Sequence, residues 1–500
     1  MRNKKWIITI LLLLLTISVA AQDVMIQRGC RVGKLRPREM ALRRGASGGQ
    51  PKQTGGDFYY GVRHQLTVLV AFNDRAFKDS VDVAATMAQW DKIFNAKNLK
   101  EAPFKGSVHD YFYAQSYGVF DLTFDLEYVK VSGNAKKYAS DDYDENSQYL
   151  VEDIIEVLKT RDIDWSLYDW NGDGFVNQLL IVYAGHGMND YKGDDLIWPH
   201  QWWMSDHLKD GQEGVYCDPV PVTYDDKEYK VDCYCALSEL TQNDDYGSFG
   251  TICHEFTHCF GFPDFYSNTS YVGPWELMDY GNYNGGGYCP AGYSAHERWM
   301  MGWLNPTELK EATMISEMPA LSDEPQAYLI RNDGHQDEYY IVENRQQKGW
   351  DAELPGNGII VYHVDYDPAL WVSVTEYVNK PSRQHYLIFH ANNKTPTSSS
   401  YSKDWPYPYL ANDSLTNMST PAAELWNANT DSTMFMNKPI IRMAVTDGLA
   451  SFDFLGSTPS SVTPQLSTLN SKLSNFSVLY RLGPVTIVRD EKGRVHKIIY

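Results

Sequence analysis

The chain of 500 residues is short of positive charge: 44 Lys and Arg stand against 64 Asp and Glu, a formal net charge of −20. A surface that acidic repels a phosphate backbone, which argues against nucleic acid as a partner. No apolar run reaches the roughly 20 residues that a spanning helix needs, so no integral membrane span is expected. The nearest approach, Trp6–Val19, follows Arg2, Lys4 and Lys5 and leads into Ala20-Ala21-Gln22. That charged, apolar, small-residue order reads as a secretory signal over 1–21, cleaved before Gln22. The protein is therefore expected to be secreted, free or associated with the cell surface. Cysteine is sparse: Cys30 stands alone, and the other six fall between Cys217 and Cys289. Export permits disulfides, but spacing leaves their pairing open. No internal repeat is present.

What the chain does have is ordinary globular composition, 43% hydrophobic and 22% charged, which excludes wholesale disorder. Residues 22–61 form a basic leader, a pro-segment in one reading and a solvated linker in the other. Its first part, 22–54, carries eight basic and two acidic residues, a net of +6 against −29 for residues 55–500. Cys30 lies within it, and a thiolate there could occupy an open metal position and hold an enzyme latent. From 62 to 305 buried-strand patterns such as His64–Phe72, Val119–Val131 and Gln178–Ala184 alternate with helical ones over 80–98, 108–115 and 145–159. That alternation predicts an α/β (α+β) domain. Segments such as Tyr339–Glu343 and Gly358–Val364 predict a β-rich C-terminal domain over 306–455. A Ser/Thr-rich linker, 456–477, and a short tail, 478–500, complete the chain.

The chemistry concentrates in His254-Glu255-Phe256-Thr257-His258-Cys259-Phe260-Gly261-Phe262-Pro263-Asp264. Residues four apart share a helix face, so His254 and His258 can aim at one zinc ion. Glu255 sits where its carboxylate can act as general base on a zinc-activated water. Gly261 lets the helix stop, and the turn returns Asp264 as third ligand. A later glutamate, Glu276 or Glu297, is the alternative third ligand. Downstream, Met278 suits a methionine-containing turn beneath the site. Tyr280 suits an oxyanion donor or, equally, a packed tyrosine. Asp169, Asn171 and Asp173 match the first half of a calcium loop, although Leu180 stands where such a loop needs a carboxylate. An Asp/Asn/Gly turn is the plainer reading. His186 and His200 border the neighbouring strand and are left out of the metal set.

Taken in order, these motifs resemble the immune inhibitor A family of secreted zinc metallopeptidases, a metzincin-like group. The resemblance is carried by LTVLVAFND (66–74), SVHDYFYAQSYGVFDL (107–122), DGFVNQLLIVYAGHG (173–187), the metal motif and WELMDYG (275–281). It continues through SAHERWMMGWLNP (294–306), EYYIVENRQ (338–346) and LPGNGIIVYHVD (354–365). It implies a zinc endopeptidase, made as a precursor, that cleaves proteins or peptides; a monomer is expected. A catalytically inactive secreted binding protein on the same fold is the alternative, disfavoured by the intact Glu255.

Overall fold

The computed structural model describes residues 59–456 apart from 79–81, 140–145, 190, 192, 194, 213, 248, 268–269, 372–375 and 395–398, together with strand backbones between 476 and 499. The signal segment, the leader up to residue 58 with Cys30, and 457–475 lie outside the described residues. Among the described residues no helix is long and apolar enough to cross a membrane.

Strand β1 (Gly61–Ala71) runs parallel to β2 (Phe120–Lys130), from Gly61 opposite Phe120 to Ala71 opposite Lys130. On its other side it is parallel to β3 (Leu179–His186). Two further strands follow, β4 (His200–Trp203) and β5 (Cys233–Leu240). β5 is parallel to β3, and β4 lies antiparallel to β5 at the sheet edge, giving the order β2-β1-β3-β5-β4. Period two then sorts the side chains of β1. Leu69 and Ala71 enter one core, while Leu66, Val68 and Val70 enter another on the opposite face. Helices α1 (Val83–Asn95) and α2 (Val108–Gln115) pack into the first core. Helix α3 (Ser147–Leu158) packs into the second through Leu150, Val151, Ile154, Ile155 and Leu158. A sheet covered by helices on both faces is the mixed α/β arrangement that the alternating pattern predicted.

Helix α1 is shorter than its periodicity suggested. Asp82 caps it, accepting from the Ala84 N–H at 2.9 Å, and Asn98, at φ 57°, lies in a left-handed conformation that no helix continues through. Trp90 and Phe94, four apart on one face, are buried, but Val83 is 46% exposed in the first turn.

From Thr307 the chain is β-rich, as expected. A second five-stranded sheet comprises β6 (Thr307–Glu308), β7 (Tyr328–Asn332), β8 (His335–Arg345), β9 (Gly358–Asp365) and β10 (Tyr386–Ile388), in the order β10-β9-β8-β7-β6. Its two faces divide as sharply as those of β1. Leu329, Tyr339, Ile341, Ile360 and Tyr362 join the core under α1 and α2. Ile330, Tyr340, Val342, Ile359 and Val361 form a core of their own with Ile440, Ala450 and Phe452. One continuous apolar core therefore joins the second sheet to the first half of the chain. The tail holds three antiparallel strands, Phe476–Leu482, Val485–Asp490 and Val495–Ile499.

Candidate active site

Helix α4 (Phe249–His258) buries Phe249, Ile252, Cys253 and Phe256 in the first core. Its carboxyl-terminal turn then carries His254 and His258 on one side, their ring centroids 4.9 Å apart. Gly261 ends this segment at φ 93°, a backbone that an L side chain strains to adopt. The chain turns back, and Asp264 Oδ1 comes to lie 3.1 Å from His254 Nε2 and 3.4 Å from His258 Nε2.

Each imidazole is oriented by a backbone carbonyl. His254 Nδ1–H donates to Leu277 O at 2.8 Å and His258 Nδ1–H to Phe262 O at 2.7 Å. Both rings thus present Nε2 to the same point, the arrangement a metal ion needs from its second shell. Two ligands of a tetrahedral zinc with bonds of about 2.0–2.1 Å sit about 3.3–3.4 Å apart. The observed separations from Asp264 match that edge. Asp264 Oδ1 is buried without an aligned hydrogen bond, and the three ligand atoms lie within 4.8 Å of one another. The donor set fits a divalent cation with imidazole and carboxylate ligands. Glu276 and Glu297, the alternative third ligands, are not in this group.

Electrostatics makes the same point. Burial would push the Asp264 carboxyl up, yet the His258 and His254 imidazoles outweigh it and hold it down to about 2. Burial would push His258 down, but the Asp264 and Glu255 carboxylates raise it to about 9. An acid and a base held in their charged forms at one buried point make a centre that a cation can take over from a proton. Glu255 is itself buried, with Oε2 4.0 Å from His258 Nε2. That places it beside the centre.

The segment after the ligands supports them from below. Met278 is fully buried, and its carbonyl accepts from the Phe265 N–H at 2.9 Å, next to Asp264. Leu277 supplies the carbonyl that orients His254, so one turn braces two of the three candidate ligands. Gly250 permits this close approach, because a Cβ there would meet Asn282 O at 1.8 Å. Asp279 closes the turn by accepting from Ser270 Oγ at 2.6 Å and Gly273 N–H at 2.7 Å. These backbone acceptors leave no mark in the sequence.

Tyr280 is half-buried and stacks on Tyr266, ring planes 9° apart. Burial and then the Asp279 carboxylate push its phenol up, so it stays a donor at neutral pH. If the phenol stabilises the developing oxyanion, Tyr280→Phe lowers kcat by ~10-fold or more with KM little changed. Steady-state kinetics on a peptide substrate reads this directly, and an unaltered kcat returns Tyr280 to packing.

Glu276 and Glu297 have a different task. Both are fully buried. Glu297 caps helix α5 (Ala295–Met300), accepting from Ser294 N–H at 2.8 Å. Glu276 accepts from Tyr386 Oη–H at 3.1 Å. The remaining oxygens, Glu276 Oε2 and Glu297 Oε1, have no other hydrogen-bond partner. Burial, and then the charge of Glu297, raise Glu276 well above the ordinary 4.5. A proton on Glu276, donated to Glu297, satisfies both. The native state keeps this proton where the unfolded chain loses it, so its contribution is full below about pH 4.5 and declines as pH rises toward the folded value. Glu276→Gln retains a neutral donor, and its Tm should fall less steeply with rising pH than the wild type's. Parallel Tm profiles would remove the shared proton.

The loop of Asp169, Asn171 and Asp173 is folded on itself. Asp169 accepts from the Asp173 and Gly174 N–H groups at 3.1 and 3.0 Å, with Lys227 Nζ 3.9 Å from its Oδ2. Asn171 and Asp173 also bond one another at 3.1 Å. Two Asx turns lie within it: Asn171 Oδ1 accepts from Asp173 N–H at 3.3 Å and Asp173 Oδ1 from Phe175 N–H at 2.8 Å. His186 pairs with Asp244 at 3.0 Å. His200 is buried, bonded to the Trp198 carbonyl at 2.6 Å and to the Tyr234 hydroxyl at 3.0 Å. Neither belongs to the metal group.

Residues 64–304 match the model of the immune inhibitor A peptidase M6 catalytic domain. None of the curated proteins compared with the chain matches it.

Proposed function

We propose that this immune inhibitor A-like peptidase is a secreted, zinc-dependent endopeptidase that cleaves peptide bonds of proteins. The observation that carries the reading is the convergence of His254, His258 and Asp264, whose ligand atoms lie within 4.8 Å of one another, with Asp264 Oδ1 at 3.1 and 3.4 Å from the two Nε2 atoms. Zinc, when bound there, would polarise the scissile carbonyl and lower the pKa of a water toward 7. Glu255 then takes a proton from the attacking water and returns it to the leaving amine. Tyr280 donates its phenol hydrogen to the oxyanion. Export is supported by the charged and apolar order of residues 1–21.

The test is casein hydrolysis and metal content of purified protein, with and without a zinc chelator, beside His254→Ala/His258→Ala. One zinc per chain and chelator-sensitive hydrolysis are expected, both lost in the double variant because one remaining ligand holds zinc poorly. Stoichiometric zinc in the double variant rejects the centre. Running the same assay on a form beginning at residue 55 shows whether the basic leader restrains activity.

A further inference from the structure

Three thiols meet where α4 ends. Cys233 and Cys235, two apart on β5, point to the same face of the sheet. Cys259, the residue after His258, rests against both: its Sγ lies 3.5 Å from Cys233 Sγ and 3.5 Å from Cys235 Sγ. All three are free thiols; Cys235 is fully buried, Cys233 nearly so, and Cys259 part-exposed. The strand thiols also have separate anchors. Gln201 Nε2–H donates to Cys233 Sγ at 3.3 Å, and Cys235 Sγ–H donates to Glu255 O at 3.3 Å. Cys217, Cys253 and Cys289 have no such thiol neighbours among the described residues.

We propose that Cys233, Cys235 and Cys259 form a disulfide-exchange site, in which Cys259 bonds to either strand thiol and the third thiol stays free to displace it. A disulfide needs its sulfurs at about 2.05 Å, so the contact must close by roughly 1.5 Å, a movement within reach of side-chain rotation. The co-reactant is a small organic disulfide, RSSR. The sulfur of Cys259, the least buried of the three residues, attacks RSSR as thiolate, forming a mixed disulfide and releasing one RSH. Cys233 or Cys235 then attacks the Cys259 sulfur, its proton leaving with the second RSH. Two protein thiols are oxidised and one RSSR is reduced to two RSH. The remaining strand thiol can attack Cys259 in turn, moving the bond along β5 without net oxidation. Either closed form ties β5 to the residue that follows the second metal-site histidine.

The test uses the full chain carrying Cys30→Ser, incubated with oxidised glutathione, quenched by alkylation and mapped without reduction. Expected are the loss of two alkylatable thiols, a cross-linked peptide pair containing Cys259, and a Tm higher by on the order of 5 °C than that of the reduced form. Cys233→Ser and Cys235→Ser should each still form the cross-link. Cys259→Ser should abolish it, as should Cys233→Ser/Cys235→Ser, which covers the case that the Cys259 variant fails to fold. Six alkylatable thiols after oxidation, or glutathione retained on Cys259 with no cross-link, overturns the proposal. So does a cross-link that survives in the double variant, or one that needs a single strand thiol and ignores the other.

Discussion

Glu255→Gln is expected to cut hydrolysis of casein by ~10²–10⁴-fold while leaving metal content and Tm as in the wild type. The amide keeps the size and shape of the carboxylate but cannot accept a proton from water. Its neighbours should tolerate it. Glu255 Oε2 is 4.0 Å from His258 Nε2, and the ligand atoms that converge belong to His254, His258 and Asp264. Loss of turnover with metal retained separates a base from a ligand. Turnover near the wild-type rate would show that the proton goes elsewhere, and loss of both metal and turnover would make Glu255 part of the coordination shell.

Arg345→Met should be the most destabilising single change, at about 3–5 kcal/mol, read as a fall in the urea midpoint with unchanged slope. Arg345 is completely buried on β8. Its guanidinium donates to Asp351 at 2.9 and 2.7 Å, to Glu343 at 3.0 Å and to Gly292 O at 2.9 Å. Those carboxylates in turn receive the Gly292 N–H at 2.9 Å and the Ala295 N–H at 2.6 Å, just where α5 begins. Removing the cation leaves two acids buried without their counter-charge, and that penalty exceeds the lost packing. The same reasoning gives the control: Arg345→Met with Glu343→Gln and Asp351→Asn should recover more than half of the loss. No recovery would mean that the cost is shape rather than charge.

How much of this was legible beforehand depended on the range of the interaction. β1, α2, β2, α3 and β9 fall within a few residues of where the apolar period put them, because local hydrogen bonding and the burial of one face set them. His254, Glu255 and His258 were readable for the same reason, since helical spacing alone puts the two imidazoles side by side. Asp264 needed the turn at Gly261 as well, which the glycine announces. Glu276 and Glu297 could not be told from ligands by spacing; only their burial against each other, with Tyr386 and Ser294 as partners, removes them from the centre. The loop of Asp169, Asn171 and Asp173 is held by hydrogen bonds between residues two to five apart, a local order that its Asp, Asn and Gly residues already announce.

The sequence by itself determined the peptidase class, the helical pairing of His254 and His258 with Glu255 beside them, and the alternation of helix and strand, all products of contacts between residues close in the chain. Tertiary structure decided what distant residues do to one another. Leu277 O and Phe262 O set the ring orientations, Met278 braces the turn, and three thiols from β5 and the end of α4 come together 24 and 26 residues apart. It also made one core of the two sheets, through alternate side chains of β7, β8 and β9. The physical reason is that backbone carbonyls carry no sequence signature, and the face a strand presents has no meaning until another element covers it.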